Sequence, residues 1–222
     1  MQETGNSHFY RWWVVRYILP TMRFNVKKVI LSIVLLSCLL PGVFATGLVG
    51  LSAYPEFGWF STSINNEGDY LTTTIDTSLF IEGANYFGDR HSYGIGYGLG
   101  VGFHLLTTDD SLVNSDNTIS LIPKLSFQYK FDIDERSSIE AGAGIQCAYK
   151  SNDYFEQKMV SIYANTNYAF CFGGSFAFRA GLELATPIYT SIQVLKEDYK
   201  ELWKLENYGI ILKPYVGASF CY

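Results

Sequence analysis

From Ser92 to Leu105 the bulky residues Tyr93, Ile95, Tyr97, Leu99, Val101, Phe103 and Leu105 alternate with Gly94, Gly96, Gly98, Gly100, Gly102 and His104. A period of two marks a strand, so all the bulk lies on one face and almost nothing on the other. Glycine loses the most entropy on ordering and offers no side chain to pack. Such a strand needs a reason for its bare face. Either that face looks into a crowded, narrow interior while the bulky face meets an apolar solvent, or the strand sits inside an ordinary buried sandwich.

The same alternation recurs along the chain. From Leu48 to Trp59, Val49, Leu51, Ala53, Pro55, Phe57 and Trp59 oppose Gly50, Ser52, Tyr54, Glu56 and Gly58. From Tyr70 to Gly83, Leu71, Ile75, Leu79 and Ile81 oppose Thr72, Thr74, Asp76, Ser78 and Glu82. After the glycine segment, Ile119, Leu121, Leu125, Phe127, Tyr129 and Phe131 oppose Ser120, Lys124, Ser126, Gln128, Lys130 and Asp132. A fifth segment sets Ile139, Ala141, Ala143, Ile145 and Tyr149 against Glu140, Gly142, Gly144 and Gln146. A sixth sets Val160, Ile162, Tyr168, Phe170 and Phe172 against Ser161, Asn165 and Asn167. A seventh sets Phe176, Phe178, Leu182, Leu184 and Ile188 against Arg179, Gly181 and Glu183. The last sets Tyr208, Ile210, Leu212, Val216, Phe220 and Tyr222 against Gly209, Lys213, Gly217 and Ser219.

Eight such segments are joined by connections that alternate short and long. The tight ones fall near Gly88-Asp89-Arg90, Asp134–Ser137 and Gly173-Gly174, the last a favoured hairpin pair. An even strand number with this loop asymmetry fits a bacterial outer-membrane barrel. A soluble barrel would turn the charged face to water and the apolar face inward, and the aromatic residues discriminate. Tyr93, Phe131, Phe172, Phe176, Phe220 and Tyr222 fall at the short-turn end of the apolar face, and Trp59, Tyr149, Tyr189 and Tyr208 at the long-loop end. Two aromatic belts around an aliphatic band belong at bilayer interfaces.

The first 45 residues read differently. Lys27 and Lys28 precede an uncharged run, Val29 to Leu40, then Pro41-Gly42 and Val43-Phe44-Ala45. A basic start, a short apolar core and a small-residue cleavage site describe a secretory signal peptide, too short to span a bilayer as a helix. The expected division is 1–21 as an untranslated upstream extension, 22–45 as the signal peptide and 46–222 as the barrel. A genuine N-terminal extension before Met22 is the alternative. Leu35-Leu36-Ser37-Cys38 faintly resembles a lipoprotein box, but the better cleavage site follows it.

Of 16 basic and 21 acidic residues, five and one precede Thr46, which leaves 11 and 20, a net −9. Nucleic acid, which needs clustered cations, is excluded as a partner. Cys147, Cys171 and Cys221 are an odd number without metal-type spacing, so no disulfide framework is read.

The chain resembles the small eight-stranded outer-membrane barrels of the OmpX and OmpA-transmembrane type and, more distantly, OmpW. The resemblance implies an all-β fold, a closed eight-stranded antiparallel transmembrane β-barrel after an N-terminal signal peptide, in the bacterial outer membrane. Tyr215, Gly217, Phe220 and Tyr222 resemble the C-terminal assembly signal, which implies the barrel-assembly machinery and outer-membrane lipid as partners.

Eight strands enclose a lumen only wide enough for side chains. The inward set holds Glu56, Asp76, Glu82, Asp132, Glu140 and Glu183 against Lys124, Lys130, Lys150, Arg179 and Lys213, a near balance that predicts lumen ion pairs. The expected pairs are Lys130 with Glu140, Lys213 with Glu56, and Asp76 with Lys124 across the glycine strand. A narrow solute path lined by these charges is the alternative. No catalytic residue, cofactor or metal is expected: His91 falls in a short turn, His104 stands as a structural histidine, and Asp109, Asp110 and Asp116 match no calcium loop. In the long connection Thr190 to Asn207, Ile192, Leu195, Tyr199, Leu202 and Trp203 recur at helical spacing. They predict a short amphipathic helix, packed on the rim or offering a contact surface for a host or surface ligand. The expected role is binding, adhesion or envelope integrity, with a narrow OmpW-type channel as the alternative, and no enzymatic activity.

Overall fold

The computed structural model describes residues 46–64, 67–87, 92–107, 118–152, 154–172, 175–195 and 200–221. These form β1 (Thr46–Ile64), β2 (Glu67–Phe87), β3 (Tyr93–Thr107), β4 (Ile119–Asp132), β5 (Ser137–Ser151), β6 (Phe155–Phe172), β7 (Phe176–Leu195) and β8 (Lys200–Cys221). Each pairs antiparallel with the next, and β8 pairs back on β1 to close a barrel. The signal peptide, the upstream extension, His91, the acidic loop with Asp109, Asp110 and Asp116, Tyr199 and Tyr222 lie outside the described residues.

The period of two sorts the side chains. Leu51, Ile81, Phe127 and Phe220 stand on the outside, each more than half exposed, while Glu82, Glu140, Glu183 and Lys213 are buried within. A water-soluble fold rarely exposes so continuous an apolar surface, so this barrel is built for lipid. The bare face of β3 looks inward because the interior has no room for more. A Cβ on Gly100 would lie 2.5 Å from the Phe80 ring, and one on Gly98 2.8 Å from the Lys124 stem.

The β4–β5 connection is fixed by one carboxylate. Asp134 Oδ1 accepts the backbone N–H groups of Arg136 at 2.8 Å and Ser137 at 2.7 Å. These bonds favour the ionised form, the Arg136 amide foremost, and hold the Asp134 carboxyl below the usual range for aspartate.

At the long-loop end the strands run further than the alternation predicts. β1, β2, β7 and β8 have 19 to 22 residues, against about 9–11 needed to cross a bilayer. Their upper parts form a four-stranded blade rising on one side of the rim, through the pairs Ile64–Glu67, Ile64–Leu205 and Leu195–Lys200. The predicted helix is therefore corrected to strand at Ile192–Leu195 and Lys200–Trp203, the positions between lying outside the described residues. Ile192 pairs with Trp203, Gln193 with Leu202 and Leu195 with Lys200. Extending an existing ladder satisfies two rows of backbone groups at once, whereas a helix of this length must nucleate alone.

Candidate functional site

The chemistry-bearing residues converge inside the barrel. Glu82, on β2, is the hub. Its carboxylate takes Lys124 at 2.5 Å and Arg179 at 3.1 Å, and accepts hydrogen bonds from Ser52 at 2.7 Å and Tyr54 at 2.8 Å. Arg179 reaches on to Glu140 at 3.0 Å. Lys124 lies 3.6 Å from Glu183, which is 3.3 Å from Lys213, which is 3.5 Å from Glu56. Carboxylates and cations thus alternate in an unbroken chain, Glu140–Arg179–Glu82–Lys124–Glu183–Lys213–Glu56. Ser78 donates to Glu56, and Lys213 donates to Gln146 at 3.0 Å. Such a cluster answers the desolvation cost of each buried charge with an opposite neighbour.

Aromatic rings share this level: Tyr54 stands on the inward face to which the alternation assigns it, and Phe80, Tyr163 and Tyr215 join it. Tyr54 stacks on Tyr215 with centroids 4.6 Å apart and meets the Phe80 edge at 4.9 Å. The Lys124 ammonium sits 4.4 Å from both the Tyr54 and Phe80 centroids and donates to the Tyr54 hydroxyl at 2.8 Å. Tyr163, Ile122, Met159 and Ile211 complete the inner cluster. On the outer side of this layer the cavity bounded by Phe60, Asp76, Ile122, Met159 and Ile211 measures about 20 Å³, room for one water. At the short-turn end a half-open cavity of about 310 Å³ is lined by Tyr86, Lys130, Glu140, Cys171 and Cys221.

Two of the three expected pairings are corrected. Asp76 does not take Lys124: it takes Lys150 at 2.8 Å and His104 Nδ1 at 2.6 Å. Lys124 instead takes Glu82, because Glu82 and Lys124 both stand opposite Gly98 in the ladder, so the reach across the bare strand belongs to that carboxylate. Counting pairs outward from the β2–β3 turn carries this signal. Lys130 and Glu140 are ladder partners, yet Glu140 turns to Arg179 and Lys130 pairs with Asp132 at 3.1 Å. Asp132 lies on the same face as Lys130 and is exposed at the strand end. Lys213 and Glu56 do meet, at the distance given above.

His104 is held at both nitrogens, by Asp76 at Nδ1 and by Thr107 Oγ1 at 2.8 Å from Nε2. A hydroxyl, a histidine and a carboxylate in line resemble the parts of a nucleophilic site. Here the second Asp76 oxygen is taken by Lys150. The chain locks the upper ends of β2, β3 and β5 together. Of the expected assembly-signal residues, Tyr215 is buried on Tyr54, Gly217 abuts Ser52 and Phe220 is 62% exposed on the outer face. Leu195, Leu202 and Trp203 are strand positions in the blade.

No protein-family profile matches the sequence, and no curated protein matches it. Among solved structures the chain is similar to the outer membrane protein OprG from Pseudomonas aeruginosa, with a TM-score of 0.57 and 10% identity over 80% of this chain and 95% of that one. It is also similar to a major outer membrane protein from Thermus thermophilus, with a TM-score of 0.51 and 8% identity over 80% of this chain and 100% of that one. The fold of this chain is that of the small outer-membrane β-barrels.

Proposed function

We propose that the protein is an outer-membrane barrel with a sealed lumen that works at its outer surface, in binding or adhesion or in maintaining the envelope. The observation that carries this is the layer at mid-barrel. The Glu82 chain of ion pairs and the Tyr54–Tyr215–Phe80 cluster cross the lumen together, and the outer cavity above them holds about 20 Å³. With the lumen filled at this level, contact with other molecules at the cell surface falls to the rim, where binding residues concentrate on barrel scaffolds. The blade raises Leu195, Leu202 and Trp203 on that side, and Tyr199 falls between them in sequence. Tyr215, Gly217, Phe220 and Tyr222 would be read by the assembly machinery while the chain is still unfolded.

Planar-bilayer recording on refolded protein tests the seal. A sealed lumen gives no stable conductance steps. Steps of constant size would favour the competing reading, a narrow solute path, for which the cavity of about 310 Å³ at the short-turn end is the supporting observation. Binding at the rim is tested separately: cells carrying Tyr199→Ala with Trp203→Ala should lose surface attachment at unchanged barrel abundance, and full attachment would remove the blade from the reading.

A further inference from the structure

Cys171 on β6 and Cys221 on β8 aim their sulfurs at one another, 3.9 Å apart, in the wall of the short-turn cavity. Strand β7 stands between them: Cys171 pairs with Ala177, and Ala177 pairs with Ser219. Neighbouring strands lie about 4.8 Å apart, and Cys221 lies two residues beyond Ser219 on β8, which places Cys171 and Cys221 at least roughly 9 Å apart at Cα. A disulfide spans about 4.4–6.8 Å between Cα atoms. Direct S–S closure would therefore need the barrel wall to move.

One ion between the sulfurs needs no such movement. Metal–thiolate bonds of about 2.3 Å put two sulfurs of one ion roughly 3.8 Å apart at a tetrahedral angle, and further apart as the angle opens. Thiolates select soft ions. Two thiolates complete the coordination of an ion that accepts two ligands; no group of three or more His, Cys, Asp or Glu placed to hold a metal occurs among the described residues. The same cavity wall carries Lys130, which pairs with Asp132, and the Glu140 carboxylate, so a bis-thiolate complex of net charge −1 would sit among charges of both signs.

We propose that Cys171 and Cys221 form a two-thiolate site for a monovalent soft metal ion, Cu(I) by chemical class, at the short-turn mouth of the lumen. On binding, each thiol releases its proton to water and each sulfur donates an electron pair to the ion. No electron changes hands.

The test is Cu(I) uptake by full-length protein, reduced and refolded in detergent under argon, in competition with a chromogenic Cu(I) chelator. Wild type and Cys147→Ser should each retain one Cu(I) per chain against the chelator. Cys171→Ser and Cys221→Ser should each lose it while keeping the folded mobility on an unheated gel. No uptake by wild type, uptake surviving in Cys171→Ser or Cys221→Ser, or loss in Cys147→Ser overturns the proposal. So does ready formation of a Cys171–Cys221 disulfide in protein that takes up no Cu(I) after reduction.

Discussion

The rings of Tyr54 and Tyr215 stack with 4.6 Å between centroids and 22° between planes, across the stretch where β1 and β8 leave off pairing. Ala53 pairs with Val216 and Phe57 with Leu212; between them Pro55 faces Pro214, and neither has an N–H to donate. The closing seam is held there from within, by the Tyr54–Tyr215 stack and the Lys213–Glu56 ion pair.

Because the stack replaces backbone bonds, Tyr215→Ala is expected to lower stability by about 3–5 kcal/mol, as large-to-small changes in a filled core do. In a double-mutant cycle with Tyr54→Ala, the pair should couple by about 0.5–1.5 kcal/mol. Guanidinium unfolding followed by tryptophan fluorescence reads both quantities, and strictly additive losses would show that the rings do not share the seam.

Glu82 anchors two cations, so Glu82→Gln should cost more than the loss of one exposed pair. An uncompensated buried charge costs about 3–5 kcal/mol; Lys124 keeps Glu183 at 3.6 Å and Arg179 keeps Glu140 at 3.0 Å, so the loss should fall below that range. Adding Arg179→Met should deepen that loss, because it leaves buried Glu140 without its cation. A Glu82→Gln variant as stable as wild type would contradict the central role given to this carboxylate.

Gly100→Ala is expected to destabilise by about 1–3 kcal/mol, the usual cost of overpacking, since the new Cβ meets the Phe80 ring. Phe80→Leu in the same chain should relieve most of that penalty. If alanine at 100 is neutral with Phe80 intact, the bare face of β3 is not packed as described.

The acid limb of stability should carry a contribution from Asp134. Its carboxyl is depressed in the folded barrel, so the stabilisation is present above the unfolded value of about 3.9 and is lost as pH falls through the lower folded value. Wild type should exceed Asp134→Asn in stability near neutral pH, with the gap closing on acidification. A gap independent of pH would assign the turn to hydrogen bonding by either side chain.

Eight strands and their two faces are legible because alternation survives wherever one face meets lipid, as in Ile119–Asp132, where segment and strand coincide. The upper strand ends are not. Above the membrane neither face is obliged to be apolar, and Ile192, Leu195 and Trp203 fall by chance at helical spacing. Of the inner aromatics Tyr54 is legible on the polar face of its segment, while Phe80, Tyr163 and Tyr215 are not; together the four fill a lumen whose glycines leave room for rings. Ion-pair partners are legible only where the ladder decides them. Long lysine and arginine side chains reach across the barrel, so Glu140 meets Arg179 from another strand instead of its neighbour Lys130.

The account depends most on which face meets lipid. Spin labels placed one at a time at Leu79, Ile81 and Leu125, each more than half exposed at mid-strand, report their solvent directly by collision with oxygen or with a water-soluble nickel chelate. In protein reconstituted into vesicles, all three positions should collide readily with oxygen and rarely with nickel. Frequent nickel collisions there would place the apolar face in water and contradict the account.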